Sequence, residues 1–194
     1  MVVEGAYLGA EESAGELLRP LRDLAPELDT FAAVPPAALG HLHMDPEDPV
    51  PFATGGQLLD ELPPAAIDAI VEAVGPDSGS PLLSLELRLL GGALTVAPPD
   101  AGALPGLDQA FLTLGVGMVM EPGMASAINA HLDLVSSALE PWDSGVQYAN
   151  FIDVPIDTRM CYPPETFDRL QEVKARYDRH DLFRANHPIP AAVG

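Results

Sequence analysis

The stretch VQYANFID, residues 146–153, sets Tyr148 two residues ahead of Asn150. Side chains alternate along an extended strand, so this spacing predicts Tyr148 and Asn150 on one face and Ala149 and Phe151 on the other. A phenol and a carboxamide aimed together are either a surface pair or a site. The spacing alone does not assign the pair a chemistry. As structure alone, Tyr148 would pack its ring and bond its hydroxyl to backbone.

Other chemistries find little support. His41 and His43 form an HxH pair, but a metal needs a third ligand and none is marked nearby, so the pair reads as surface or loop. His131 stands beside an apolar helical stripe and reads as a packed, hydrogen-bonded histidine. The sequence has no GxGxxG, P-loop, GxSxG or HExxH motif. Lys174 is the sole lysine, which argues against a Schiff-base role elsewhere in the chain. Cys161, the single cysteine, excludes an internal disulfide and a cysteine-based zinc site. It has no evident base beside it, and it fits a reducing, cytoplasmic setting.

The elements that must position Tyr148 can be read from periodicity. Strands are expected over Val2–Leu8, in TFAAV, in ATGGQLL, in PLLSLELRLLGGAL and in QAFLTLGVGMVM. Helices are expected in EESAGELLRPLRDLAPE, up to about His43, in PPAAIDAIVEAV, over Glu121–Leu139 and from about Pro164 to Tyr177. The last should pack Phe167, Leu170, Val173 and Tyr177. MDPEDPVPF reads as a loop and HPIPAAVG as an irregular tail. The expected fold is α+β, an antiparallel sheet covered on one face by α-helices, with a C-terminal strand-helix extension.

The two long strands have unequal faces. Leu83, Leu85, Leu87 and Leu89 oppose Ser84, Glu86 and Arg88 on one; Leu112, Leu114, Val116, Met118 and Met120 oppose Gln109, Phe111, Thr113, Gly115 and Gly117 on the other. The apolar faces are expected to take the helices. The mixed faces are either a wet surface with bulge glycines or the roof of a ligand pocket.

The apolar fraction of 47% in 194 residues implies a real core. The net charge of −20 opposes contact with phosphate backbones and anionic membranes. Residues 1–158 carry 24 acids and 3 bases, whereas residues 159–194 carry 5 acids and 6 bases. No signal peptide is apparent at the start, and the longest apolar run, Ala110–Met120, is too short for a membrane helix.

The C-terminal quarter carries a family likeness. YANFID followed by RLQEVKARYDRHDLFRANHPI resembles the end of the berberine-bridge-enzyme-like FAD-linked oxidoreductases, which close with a YxN segment and an RL–VK–YDP–N–F pattern. The matching positions are Tyr148, Asn150, Arg169, Leu170, Val173, Lys174, Tyr177, Asp178, Leu182 and Phe183. LELRLLGGAL, with Gly91-Gly92-Ala93, and EGAYLGAEESAGELLRPL resemble upstream pieces of the same family. Arg179 and Asp181 depart from the usual proline and asparagine, and YPPET replaces a YGxN stretch.

The resemblance implies a substrate-covering domain over 1–145 and a berberine-bridge-like segment over 146–194. It implies oxidation of a small alcohol, sugar or secondary metabolite by hydride transfer to FAD, with Tyr148 as base on the substrate hydroxyl and Asn150 beside the cofactor. A phenol holds its proton near neutral pH, so that implied role needs a cationic neighbour or a strong hydrogen bond, and Arg88 and Lys174 are the candidates for this help. Glu86, Arg88, Phe111 and Thr113 would face the substrate. An FAD-binding half is expected upstream or on another chain. The alternative is a non-catalytic ligand-binding or dimerisation module, in which strand edges freed by the missing half would pair two copies.

Overall fold

The computed structural model describes residues 1–43, 46 and 48–191. Met44, Asp45 and Glu47 of the expected loop, and Ala192–Gly194 of the expected tail, lie outside the described residues. The chain forms two compact units, Met1–Pro49 and Val50–Gly194. The boundary expected at 145/146 falls inside the second.

The first unit holds helix α1 (Glu11–Arg22) and a 3-10 turn at Pro36–His41. Acidic Glu11 and Glu12 open α1 and Arg19 and Arg22 close it, matching the helix dipole. The helix stops five residues before the expected Glu27: the amides of Asp23 and Leu24 fold back onto Arg19 and Leu21, and Ala25 takes φ 51°. No residue of this unit is buried among those described. The strands expected over Val2–Leu8 and in TFAAV are absent, because neither segment pairs with another backbone among the described residues.

The second unit is built on β4 (Phe111–Met118), which pairs antiparallel with β1 (Phe52–Gly55) and β2 (Leu58–Leu59) on one side and β3 (Ser84–Leu89) on the other. ATGGQLL is thus two short strands broken at Gly56-Gln57. The helices are α2 (Pro64–Val74) and α3 (Met124–Leu139), with α4 (Pro164–Tyr177) after the sheet. Pro64 opens α2 where its missing N–H costs nothing. Helix α3 lies against β1 and β4, and α2 packs on α3. The α+β architecture with one helix-covered sheet face is therefore as expected.

The leucine face of β3 is covered as expected, but β4 turns its other face to the helices. Directly paired residues share a face, and Leu85 pairs with Gly115, Leu87 with Thr113 and Leu89 with Phe111. A Cβ on Gly115 would lie 2.5 Å from Leu132, and one on Gly117 2.5 Å from Ile128. Both contacts are with α3. The glycines of β4 thus make room for a helix, and the side that carries Phe111 and Thr113 is the inner one. Leu59, Ala66, Ala73, Val135 and Leu139 form its core, with Leu85 and Phe111 against them. Burying a leucine such as Leu139, wholly inaccessible here, contributes about 1.5–3 kcal/mol.

Two apolar stripes are narrower than their periodicity suggests. In α2, Ile67 and Val71 are exposed while Ala66 and Ala73 are buried. In α4, Phe167 is buried but Val173 and Tyr177 are exposed. His131 is packed as expected, its Nε2 donating to the Ala73 carbonyl at 3.0 Å.

Candidate functional site

The second sheet face carries Leu112, Leu114, Val116 and Met118 from β4. By register it also carries Phe52 and Thr54 from β1, Leu58 from β2, and Ser84, Glu86 and Arg88 from β3. Its central apolar residues need cover, and the chain after α3 provides part of it. A 3-10 turn at Glu140–Trp142 leads along the free edge of β2, where the Asp60 amide bonds Trp142 and the Ser144 amide bonds Leu58. Residues 146–152 then cross onto this face.

There the segment is a turn and not the expected strand. Ala149–Phe151 form a 3-10 helix, closed by the Phe151 amide on the Tyr148 carbonyl at 2.9 Å. Residues three apart eclipse in a 3-10 turn. Tyr148 therefore shares a side with Phe151, not with Asn150, and the two rings stack with centroids 5.4 Å apart. Both pack against the buried cluster of Leu58, Leu107 and Leu112. Asn150 is exposed.

Several polar contacts hold the segment in place. The Thr54 hydroxyl donates to the Asp153 carboxylate, tying it to β1. Arg88 lies 4.9 Å from the Phe151 ring centroid while its Nη2 donates to Glu86 at 3.1 Å. The Gln147 amide bonds the Met160 carbonyl, and His187 Nε2 donates to the Ile152 carbonyl.

Of the predicted residues, Glu86, Arg88 and Tyr148 come together at this face. Phe111 and Thr113 do not. Thr113 is 2% exposed on the helix side, and its hydroxyl bonds the backbone of Gln57. Phe111 packs in the helix-side core. Their expected place beside Glu86 assumed that the glycine-bearing face of β4 was open, and α3 closes it. Lys174 is also committed elsewhere, to Asp178 and Asp181, with its Nζ 2.8 Å from Asp181. The Asp178 hydrogen bond, with Asp181 adding to it, holds the ammonium above its ordinary pKa. Lys174 in turn holds the Asp178 carboxyl below its ordinary range, and the amides of Leu182 and Phe183 act the same way. This network ties the end of α4 to the segment that follows it.

Two openings adjoin the Tyr148 segment. A small cleft is lined by Gly56, Gln57, Leu112, Gln147, Tyr148 and Phe151, among others. A cavity of about 380 Å³ is lined by parts of loop 95–109, by Val146 and by residues 160–164. Leu104, Leu107 and Val146 belong to both this cavity and the Tyr148 cluster. Cys161 lines it, and burial pushes its thiol above the ordinary value. Gln57 and Gln147 were not singled out by sequence, although each is a lone polar residue in an apolar stretch beside a glycine or an aromatic.

Residues 147–190 match the family described as berberine and berberine like. The chain is similar to the C-terminal part of berberine-bridge-like FAD-linked oxidoreductases. YvdP, an FAD-linked oxidoreductase of Bacillus subtilis (strain 168) described as uncharacterized, is 26% identical over 201 residues. The match covers 96% of this chain and 43% of YvdP, so the chain spans less than half the length of that relative. Among solved structures, a berberine bridge enzyme variant superposes with TM-score 0.75 at 18% identity, covering 95% of this chain and 44% of its own. A chitooligosaccharide oxidase gives 0.73 at 22%, covering 97% and 46%. BBE-like 1 of Physcomitrella patens gives 0.72 at 18%, covering 97% and 44%. The fold of this chain is that of the corresponding part of these proteins. No helix among the described residues is long and apolar enough to cross a membrane.

Proposed function

We propose that this chain is the substrate-covering and C-terminal part of an FAD-dependent oxidoreductase that oxidises a small alcohol, sugar or secondary metabolite. The observation that carries the reading is the placement of the Tyr148–Phe151 stack. It lies over the sheet face that also holds Glu86 and Arg88, and it falls within the segment that matches the berberine-like family.

The residues present fit the covering side of a flavin site. Asn150 is exposed, which leaves its carboxamide accessible to a cofactor. The sequence offers no dinucleotide-binding glycine motif, so an FAD-binding half, in cis or in trans, would hold the pyrophosphate. Bound FAD supplies the redox chemistry, accepting the electron pair and hydrogen that leave the substrate carbon.

The chain's own contribution is to position and deprotonate. Tyr148, as the phenolate, would take the hydroxyl proton of the substrate and become the phenol as the carbonyl forms. Arg88, already beside the aromatic stack and paired with Glu86, gives the face a positive group that favours the oxyanion. Phe111 and Thr113 shape the sheet from behind and touch no substrate. The test is a Tyr148→Phe variant of the protein assembled with an FAD-binding half. Loss of substrate-driven flavin reduction with FAD still bound is expected. Unchanged reduction would remove Tyr148 from the mechanism.

A further inference from the structure

Gln57 sits in the break between β1 and β2 and is 5% exposed. Its backbone is fully used. The amide donates to Thr113 Oγ1 at 3.1 Å, and the carbonyl accepts the Thr113 amide at 2.9 Å. These bonds fix where the side chain emerges. That side chain is unmatched: its Nε2 is buried and has no hydrogen-bond partner among the described residues. Buried amide groups are nearly always paired, because an unpaired one forfeits its hydrogen bonds to water. A lone buried N–H therefore points to an acceptor that comes from outside the chain.

Gln57 lines the same small cleft as Tyr148 and Gln147, and its other walls include Leu58, Leu112, Phe151 and Ile152. The cleft has a volume of about 10 Å³, close to the space one water needs. Room for one oxygen, an unpaired donor and two further polar side chains are the conditions under which a single buried water is held. Of the two cations considered for Tyr148, Lys174 is held by Asp178 and Asp181, and Arg88 stays beside the stack while paired with Glu86, so Gln57 adds a neutral donor to what Arg88 supplies.

We propose that Gln57 is a positioning residue that holds one oxygen atom beside Tyr148: a water in the free protein, and the reacting hydroxyl oxygen when substrate displaces it. The donor matters for direction. An oxygen that accepts from Gln57 Nε2 keeps its own O–H free, so that proton can be turned toward Tyr148. The water site stands on the cleft and the unpaired amide alone. Its replacement by a substrate hydroxyl rests on the reading of Tyr148 as the base.

The test begins with a high-resolution crystal structure of the 194-residue chain. An ordered water within hydrogen-bond distance of Gln57 Nε2 is expected, with its counterpart in solution a cross-relaxation signal between water and the Gln57 side-chain amide. Gln57→Met, similar in length but without a donor, should lose both. In the protein assembled with an FAD-binding half, Gln57→Met should lower kcat/KM about tenfold, the equivalent of one hydrogen bond. It should leave the flavin spectrum unchanged. Gln57 Nε2 bonded to a protein oxygen with no water in the cleft, or a water that persists unchanged in Gln57→Met, would overturn the proposal. If Gln57→Met does not fold, the wild-type density and amide signal decide the matter. A full-rate Tyr148→Phe would sink the base assignment while leaving the water in place, so the two failures are separable.

Discussion

Gly117→Ala gives opposite answers for the two ways in which β4 could face. On an open sheet face, replacing a strand glycine by alanine restricts the unfolded chain and gains roughly 0.5–1 kcal/mol. In this structure the added Cβ would sit 2.5 Å from Ile128 Cγ2, with Cγ1 at 2.8 Å and Cδ1 at 2.9 Å. Ile128 is wholly buried and cannot swing into water. Overpacking of this kind costs about 1–3 kcal/mol, so the net change should be destabilising. Urea unfolding followed by circular dichroism measures it as a lower midpoint at unchanged slope. Ile128→Ala removes all three clashing carbons and by itself costs about 2–5 kcal/mol. In the double variant the two costs should fall short of additive by about 1–3 kcal/mol, since the cavity of one accepts the methyl of the other. A Gly117→Ala protein as stable as the parent, or more so, with strict additivity in the double variant, would refute the packing of α3 on this face.

Leu139→Ala should cost about 2–5 kcal/mol in the same assay, because Leu139 is inaccessible and belongs to the core shared by α2, α3 and β2. A change below about 0.5 kcal/mol, typical of surface sites, would contradict that placement. Asp178 makes a pH prediction. Its carboxyl is held below the ordinary range in the folded state, chiefly by Lys174, so its stabilising contribution is fully present above the unfolded carboxyl value. It is lost as pH falls below about 4 and through the folded value. Thermal unfolding should therefore show the parent losing stability in acid more steeply than Asp178→Asn. Parallel pH curves for the two proteins would show that the network contributes nothing.

The sequence was most informative where one periodicity had one interpretation. Helix α3 shows Ile128, Leu132, Val135 and Leu139 on a single stripe, and all four are buried. An antiparallel sheet with helices on one face was legible too, from the alternation in the two long strands. The facing of β4 was not. Glycine at 115 and 117 weakens a strand on either face, and only the position of α3 shows that the missing side chains are a packing device. The neighbours of Tyr148 were misassigned, because a strand period was applied to a 3-10 turn. Strand existence in the first 49 residues failed for a different reason: β-propensity yields a strand only where a partner backbone is within reach. Gln57 escaped notice because an unpaired buried amide is a property of three-dimensional packing and leaves no mark on spacing.

Hydrogen exchange tests most directly whether the Tyr148 face covers a flavin. The 194-residue chain would be compared with the same chain fused behind an FAD-binding half and loaded with FAD. Slower exchange at the amides of residues 147–153 and along β3, with little change in α2, is the predicted result. Protection confined to the helix-covered side, or none at all in a fusion that retains FAD, would contradict it.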